Sequence, residues 1–314
     1  MATNVCGGKI ALKLKTKIAP QYGQIKCEKA NCDNRAYYQL DSHYVCGVHS
    51  RNKPNRIELV KMSFSEKAQQ KKELYAIDLK LIDLARKKNI SLGEVGQVIV
   101  SQLKMMREPE QHTGFLKVFP NFKHQNRTDG FGCQSLSPMS LGPVDHGQPN
   151  LPPCLNIENF HQGSKCFAEE TDENGNPSVI YYENRLKFYL DKTPHRHKFQ
   201  GKEKKNKNIP LFFLWVDKQG IEHRLNYIES RQFYCHFYER LASKQPDFLK
   251  LQQLIQNGTN IQICGYDGRP IGHRPIEEEY LDPSKPFGHE LVLATMLMEN
   301  LENYPWKKYK KFDF

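Results

Sequence analysis

The chain of 314 residues contains no long hydrophobic run. Its longest strongly apolar stretch, Leu291 to Met298, is far too short to span a bilayer, and no membrane partner is expected. Met1 to Leu14 lacks the uninterrupted apolar core and the cleavage site of a secretory signal. Acidic residues are in deficit, 35 against 46 Lys and Arg, leaving a net charge of +11. That balance favours polyanionic partners such as nucleic acid, nucleotides or phosphorylated ligands. Nine cysteines are an odd number, and six of them are scattered singly in the C-terminal part or at the extreme N-terminus. This usage argues against a disulfide framework and for a reducing compartment, cytoplasm or nucleus. With 26% charged residues, the composition is that of a folded, globular chain. The sequence gives no sign of an internal repeat and leaves the oligomeric state open.

Residues 1–20 alternate Ile10, Leu12 and Leu14 with Lys9, Lys13 and Lys15, as one strand or a basic arm would. Residues 63–88 read as a helix capped by Ser63 or Ser65, with Leu74, Ile77, Leu81 and Leu84 at helical spacing. Ser91 offers a cap for a second helix through Met106, and the two would form a hairpin ended by Glu108-Pro109. Residues 107–153 read as loop, with a turn at Asp129-Gly130. A helix is expected over 155–168. Strands follow at Ser178 to Tyr182 and Leu211 to Val216, and Asp217 to Gly220 turns the chain into a strand at Arg224-Leu225. Lys202 to Asn208 is a basic loop. Helices are expected from Tyr227 to Ser243, from Pro246 to Asn257 with Gly258 as its stop, and from Gly288 to Leu301, with a short strand at Ile261 to Gly265. The expected fold class is α+β. The expected divisions are 1–52 (metal-binding module and basic arm), 53–110 (helical linker) and 111–314 (the α+β domain).

Cys27, Cys32, Cys46 and His49 form two close pairs, C-x4-C and C-x2-H, separated by a strand-like Arg35 to Leu40. Zn2+ takes four such ligands in a tetrahedron, and two pairs joined by a short turn segment supply them. The module is too short to fold on a core, so metal would drive its folding, and four protein ligands leave no open position. His43 competes as a ligand at poorer spacing. The alternative is a set of unliganded cysteines. Nucleic-acid contact and protein docking suit such a module equally.

On a helix, Glu158, Gln162 and Lys165 fall at i, i+4 and i+7, with His161 beside them, while Ile157, Phe160, Ser164 and Phe167 form an apolar stripe. A carboxylate, an amide and an amine then share one edge. The alternative is a solvated polar face.

Leu136-Ser137-Pro138, Pro143 and Ile157-Glu-Asn-Phe-His-Gln-Gly-Ser-Lys165 resemble the opening of NADAR proteins, the YbiA-like N-glycosidases. The order of later elements is also similar, from Tyr227-Ile-Glu-Ser-Arg231 through the strand into Tyr266-Asp267 to the helix after Gly288-His-Glu290. The resemblance covers roughly Phe131 to Pro305 and extends to N-terminally extended forms of large DNA viruses. The chain departs from the family where Gly268 follows Asp267 directly, and where Phe287-Gly-His-Glu-Leu291 replaces a Gly-Lys-Asn-x-Leu-Gly pattern. Only Trp215 and Trp306 are present, so the family's ligand-stacking tryptophans have no clear counterparts.

The resemblance implies cleavage of a ribose–base C–N bond in an ADP-ribosylated or phosphoribosylated substrate. Lys165 would form a Schiff base with the opened sugar, and Glu158 would act as acid and base. Gln162 would bind a ribose hydroxyl or orient Glu158, and Asp267 would be a second carboxylate or simply a turn residue. Ser137, His161, Arg231, Gly288, His289 and Glu290 are the implied ligand contacts. The segment from His195 to Lys198 would meet phosphate or remain a solvated loop, Gly288-His289-Glu290 would cap a helix or receive phosphate, and Arg231 could instead be a buried ion-pair partner. The rival functions are a binder of nucleotide or ADP-ribose without turnover, and a nucleic-acid-associated, virion-type zinc protein.

Overall fold

The computed structural model describes residues 25–59, 63–104, 109–197, 209–271 and 274–314. The expected N-terminal arm, the run from Lys202 to Asn208 and Met106 lie outside them. The chain divides into two compact units, Met1–Lys71 and Lys72–Phe314.

The small unit holds an antiparallel sheet of β1 (Tyr38–Leu40), β2 (His43–Val45) and β3 (Arg56–Glu58), in the order β2-β1-β3. Asp41, at φ 55°, makes the tight turn between β1 and β2. The core beneath is Cys27, Val45 and Cys46 with Cys32, Tyr38 and Leu40 against it, too little apolar area to hold a fold by itself. The unit boundary falls within α1 (Phe64–Leu92).

The large unit has two sheets. The first is parallel and contains β4 (Val98–Gln102), β5 (Phe115–Phe119), β6 (Phe131–Gly132) and β10 (Asn260–Gly265), in the order β4-β10-β5-β6. β10 lies between two strands and is buried along its whole length. The second is antiparallel, β7 (Lys165–Cys166), β8 (Phe212–Val216) and β9 (Glu222–Leu225), in chain order. The helices are α2 (Ile157–Gly163), α3 (Val179–Leu190), α4 (Tyr227–Ala242), α5 (Pro246–Gln256), α6 (Ile276–Leu281), α7 (His289–Met298) and α8 (Pro305–Lys308). This is an α+β arrangement, as expected. No helix among the described residues is long and apolar enough to cross a membrane.

Local chemistry accounts for several of these elements. Asn226 caps α4, accepting from the N–H groups of Ile228 and Glu229 while Glu229 reaches back to the Asn226 N–H. Pro246 opens α5, and Gly258 ends its last turn at φ +80°. Asn156 caps α2 through the Asn159 N–H. Phe160 roots α2 in an aromatic core of Tyr189, Phe233 and Phe237. A Cβ at Gly163 would sit 3.0 Å from Phe188, so glycine lets α2 approach α3 closely.

Five expectations fail. The second helix of the supposed hairpin is the strand β4: Val98, Ile99 and Val100 pair in parallel with β10, a long-range partner that local periodicity does not reveal. Residues 98–102 therefore belong to the sheet of the large domain. Ser178 to Tyr182 is the first turn of α3, because Tyr181, Arg185, Phe188 and Tyr189 bury one helical face while the β-branched Val179 and Ile180 stay outside. The long loop at 107–153 contains β5 and β6. Helix 155–168 stops at Gly163, and Lys165 begins β7 by pairing with Phe213. The last long helix, expected to run to Leu301, ends at Met298.

Candidate functional site

A half-open cleft of about 320 Å3 gathers residues from α2, β7, α4, the segment before residue 197, the end of β10 and the start of α7. It lies off the carboxyl end of β10, the side of a parallel sheet where loops and helix starts converge on ligands.

Glu158 and Gln162 come from consecutive turns of α2, and Lys165 returns from β7 after Gly163 has ended the helix. Gln162 Nε2 donates to Glu158 Oε1 at 3.0 Å, and Lys165 Nζ donates to Gln162 Oε1 at 2.9 Å. The expected trio is therefore joined, although it does not lie on one helix. Burial lowers the Lys165 amine to about 8. Glu158 opposes that shift and Arg196 reinforces it. His161 lines the cleft, stacked on Phe213 at 5.4 Å, and burial followed by the nearby Lys165 charge holds it well below the usual histidine range. Tyr234, also on the wall, is pushed far above the ordinary tyrosine value by burial. The cleft thus offers a desolvated amine beside a carboxylate, with a neutral imidazole and a neutral phenol around them.

Asp267 is exposed at the mouth of the cleft just beyond β10, and it also sits in the turn closed by Gly268 N–H to Gly265 O at 3.2 Å. Gly288 lines the cleft as the N-cap of α7.

Four other expected contacts are placed differently. Ser137 is buried in a turn, its Oγ accepting the Met139 N–H, away from the cleft lining. His289 faces away, with Nε2 donating to the Pro120 carbonyl at 2.9 Å. Glu290 lies beneath the cleft lining, 1% exposed, packed on Gly265 at a point where a Cβ would be 1.8 Å from its carboxylate. Arg231 reaches the cleft wall, but its terminal nitrogens donate to the carbonyls of Glu279, Tyr280, Asp282 and Lys285. It pins the end of α6 and the segment after it through peptide oxygens, so neither an ion pair nor a free ligand contact describes it.

Tyr227, Ser230, Tyr234, Pro286 and Phe287 complete the wall without having been singled out as site residues. The aromatic spacing of α4 reads as core in the sequence. The only hint that one end faces a site is the capping box that places Tyr227 at the first turn.

In the small unit, the ligand atoms of Cys27, Cys32, Cys46 and His49 all lie within 4.8 Å of one another, making a candidate metal site. His49 Nδ1 is 3.3 Å from Cys27 Sγ and 3.4 Å from Cys46 Sγ, and Cys32 Sγ is 3.8 Å from Cys46 Sγ. Metal–ligand bonds of about 2.0–2.3 Å give a tetrahedron with edges of roughly 3.4–3.8 Å, so the donor set fits. Burial pushes the Cys46 thiol up, but backbone N–H groups of His49 and Val48 and the neighbouring thiols outweigh it and hold Cys46 at about 6, favouring thiolate.

Comparison with protein-family models, with curated proteins and with solved structures finds no match for this chain.

Proposed function

We propose that the large domain is an N-glycosidase that hydrolyses a ribose–base C–N bond through a Schiff base on Lys165. The observation that carries this reading is the buried amine of Lys165, drawn down to about 8 and joined through Gln162 to Glu158 in a ligand-sized cleft. A lysine at its ordinary 10.5 is almost wholly protonated at neutral pH, whereas one at about 8 keeps roughly a tenth of its molecules as free amine at pH 7. The NADAR resemblance of Ile157 to Lys165 supports the same chemistry.

In the reactive form Lys165 is the free amine and Glu158 the neutral acid. The Lys165 lone pair attacks the anomeric carbon, and the C–N bond electrons leave with the base, which takes the proton of Glu158. The ring C–O bond then opens as one proton passes from the amine to the ring oxygen, giving a protonated imine and a sugar hydroxyl. Glu158, now a carboxylate, draws a proton from water as it adds to the imine carbon. Collapse of the adduct frees Lys165 and the ribose. In this reading Asp267 accepts from sugar hydroxyls, and the start of α7 at Gly288 meets phosphate. The substrate class is ADP-ribosylated or phosphoribosylated, in keeping with the charge of +11.

Incubation with DNA carrying ADP-ribosylated guanine, followed by borohydride and mass spectrometry, should place a ribose adduct on Lys165. Lys165→Ala should abolish both adduct and turnover without loss of fold. An active Lys165→Ala protein ends the Schiff-base reading, and tight binding with no release of base leaves a ligand-binding domain.

For the small unit we propose structural Zn2+, held by Cys27, Cys32, Cys46 and His49 with no open position for chemistry. Metal analysis of protein purified without added metal should find one zinc per chain.

A further inference from the structure

Gln162 joins the two reactive groups, yet nothing in an amide fixes which end faces which neighbour. Here Lys165 Nζ donates to Oε1, and a second donor from outside α2 holds the same end. The backbone N–H of His197 donates to Gln162 Oε1 at 3.2 Å, which leaves Nε2 to face the Glu158 carboxylate. Reversed, the amide would turn its N–H groups on another N–H and its oxygen on a carboxylate. Held this way, Gln162 stands as a spacer between the Lys165 amine and Glu158.

His197 is itself gripped from two sides. Its Nδ1 lies 3.1 Å from the carbonyl oxygen of Gln162, which can only accept, so Nδ1 carries a proton. Its Nε2 lies 2.9 Å from Glu170 Oε1. Glu170 is 0% exposed and also accepts from Asn184 Nδ2 at 2.9 Å and from the Phe167 N–H at 3.1 Å. The imidazole therefore bridges the Gln162 carbonyl and the Glu170 carboxyl, one ring nitrogen on each. The rings of Phe167 and Phe188, each 4.9 Å from the imidazole, exclude water, and losing either partner would leave a buried polar group without its hydrogen bond. Arg196, the preceding residue, is thereby set on the rim of the cleft.

We propose that the His197–Glu170 pair is the positioning device of the cleft. It fastens the 195–197 segment to α2, fixes the Gln162 amide, and so keeps Glu158 from capturing Lys165 in an ordinary salt bridge. This deepens, and rests on, the reading of Lys165 as the nucleophile. Glu158 and His161 face the amine from α2 and Arg196 faces it from the anchored segment, and of these Glu158 alone favours the ammonium form. Cys166 on β7 and Asn184 on α3 face Glu170.

The test is competitive amine labelling of the full chain with acetic anhydride over a pH series, read at the Lys165 peptide by mass spectrometry. In the unaltered protein the midpoint should lie at about 8. Glu170→Gln and His197→Asn should each move it toward 10.5, with labelling at neutral pH falling about tenfold per unit. Adding Glu158→Gln to either should bring the midpoint back down, because no carboxylate remains to capture the amine. Folded single variants that titrate like the unaltered protein overturn the proposal, as do double variants whose midpoint stays high. Because substitution at a fully buried carboxylate can prevent folding, imidazole 15N shifts of His197 in the unaltered protein supply a second reading. Both ring nitrogens in hydrogen bonds support the grip, and an Nε2 without one refutes it. Absence of a trapped sugar adduct alongside the predicted labelling pattern would remove the glycosidase reading and leave the positioning device standing. Adducts with unshifted variants would do the reverse.

Discussion

The metal cluster and the cleft put their reactive side chains to opposite uses. Cys27 and Cys46 are the core of the small unit as well as its candidate ligands, so an ion bound there would also fold it. Lys165 is embedded in a domain that has its own aromatic core and gains nothing from burying an amine. With a metal bound, one site would stabilise the structure around it, whereas the other is carried by a structure stable enough to bear its cost. Chelation is the sharpest way to break that contrast. Metal binding in small cysteine–histidine modules is worth about 10–16 kcal/mol and is largely folding free energy. A strong chelator should therefore erase amide protection across residues 25–59 while the thermal transition of the large domain stays in place. Protection that survives in metal-free protein would show that the cluster does not hold the small unit.

The contrary sign is expected at the cleft. The folded domain holds Lys165 at about 8 against an ordinary 10.5, so between these values the unfolded chain binds more protons and stability rises with pH. Below about 8 the penalty is complete, up to about 3 kcal/mol at about 1.4 kcal/mol per unit, and above 10.5 it is gone. Lys165→Met keeps most of the volume and removes the charge. It should raise denaturant stability by up to about 3 kcal/mol at pH 7, with the gain shrinking as pH climbs through that window. A variant less stable than its parent at neutral pH would mean that the amine is not desolvated.

The two sites also differ in how far the sequence discloses them. The cluster is legible because its ligands come in close pairs, and spacing alone brings each pair together. The hairpin of β8 and β9, α4 and α5 are legible for the same local reason: a turn at Asp217 to Gly220, the Asn226 cap, Pro246 at a helix start and Gly258 at its end. Strand β4 is hidden because its evidence lies in β10, far along the chain, and Val95, Val98 and Ile99 satisfy a helical period equally well. The cleft is half legible. The spacing of Glu158, Gln162 and Lys165 flags the trio, but it joins them on a helix that Gly163 and the pairing of Lys165 with Phe213 cut short. Arg231 could not be assigned from sequence, since the carbonyls that absorb it belong to a segment about fifty residues away. Glu170 carries no sequence signal, and His197 is visible only as part of the basic run His195 to Lys198; their partnership exists only once α2, α3 and the 195–197 segment have met.

The smallest expected effect lies at the join between fold and function. Asn156 caps α2 by accepting the Asn159 N–H at 2.8 Å, and the Glu158–Gln162 line starts one residue into that helix. Loss of such a cap costs about 1 kcal/mol, because a helical N–H is left without its acceptor. Asn156→Ala should lower the stability of the large domain by about that amount and slow adduct formation on Lys165 in the same preparation, through fraying of the turn that carries Glu158. Cleft substitutions would then fall into two kinds: removing the reactive amine raises stability as function is lost, whereas removing its support lowers both. An Asn156→Ala protein that loses stability but traps sugar at the parent rate would show that the first turn of α2 holds its geometry from the Phe160 side alone, and that the cap serves the fold only.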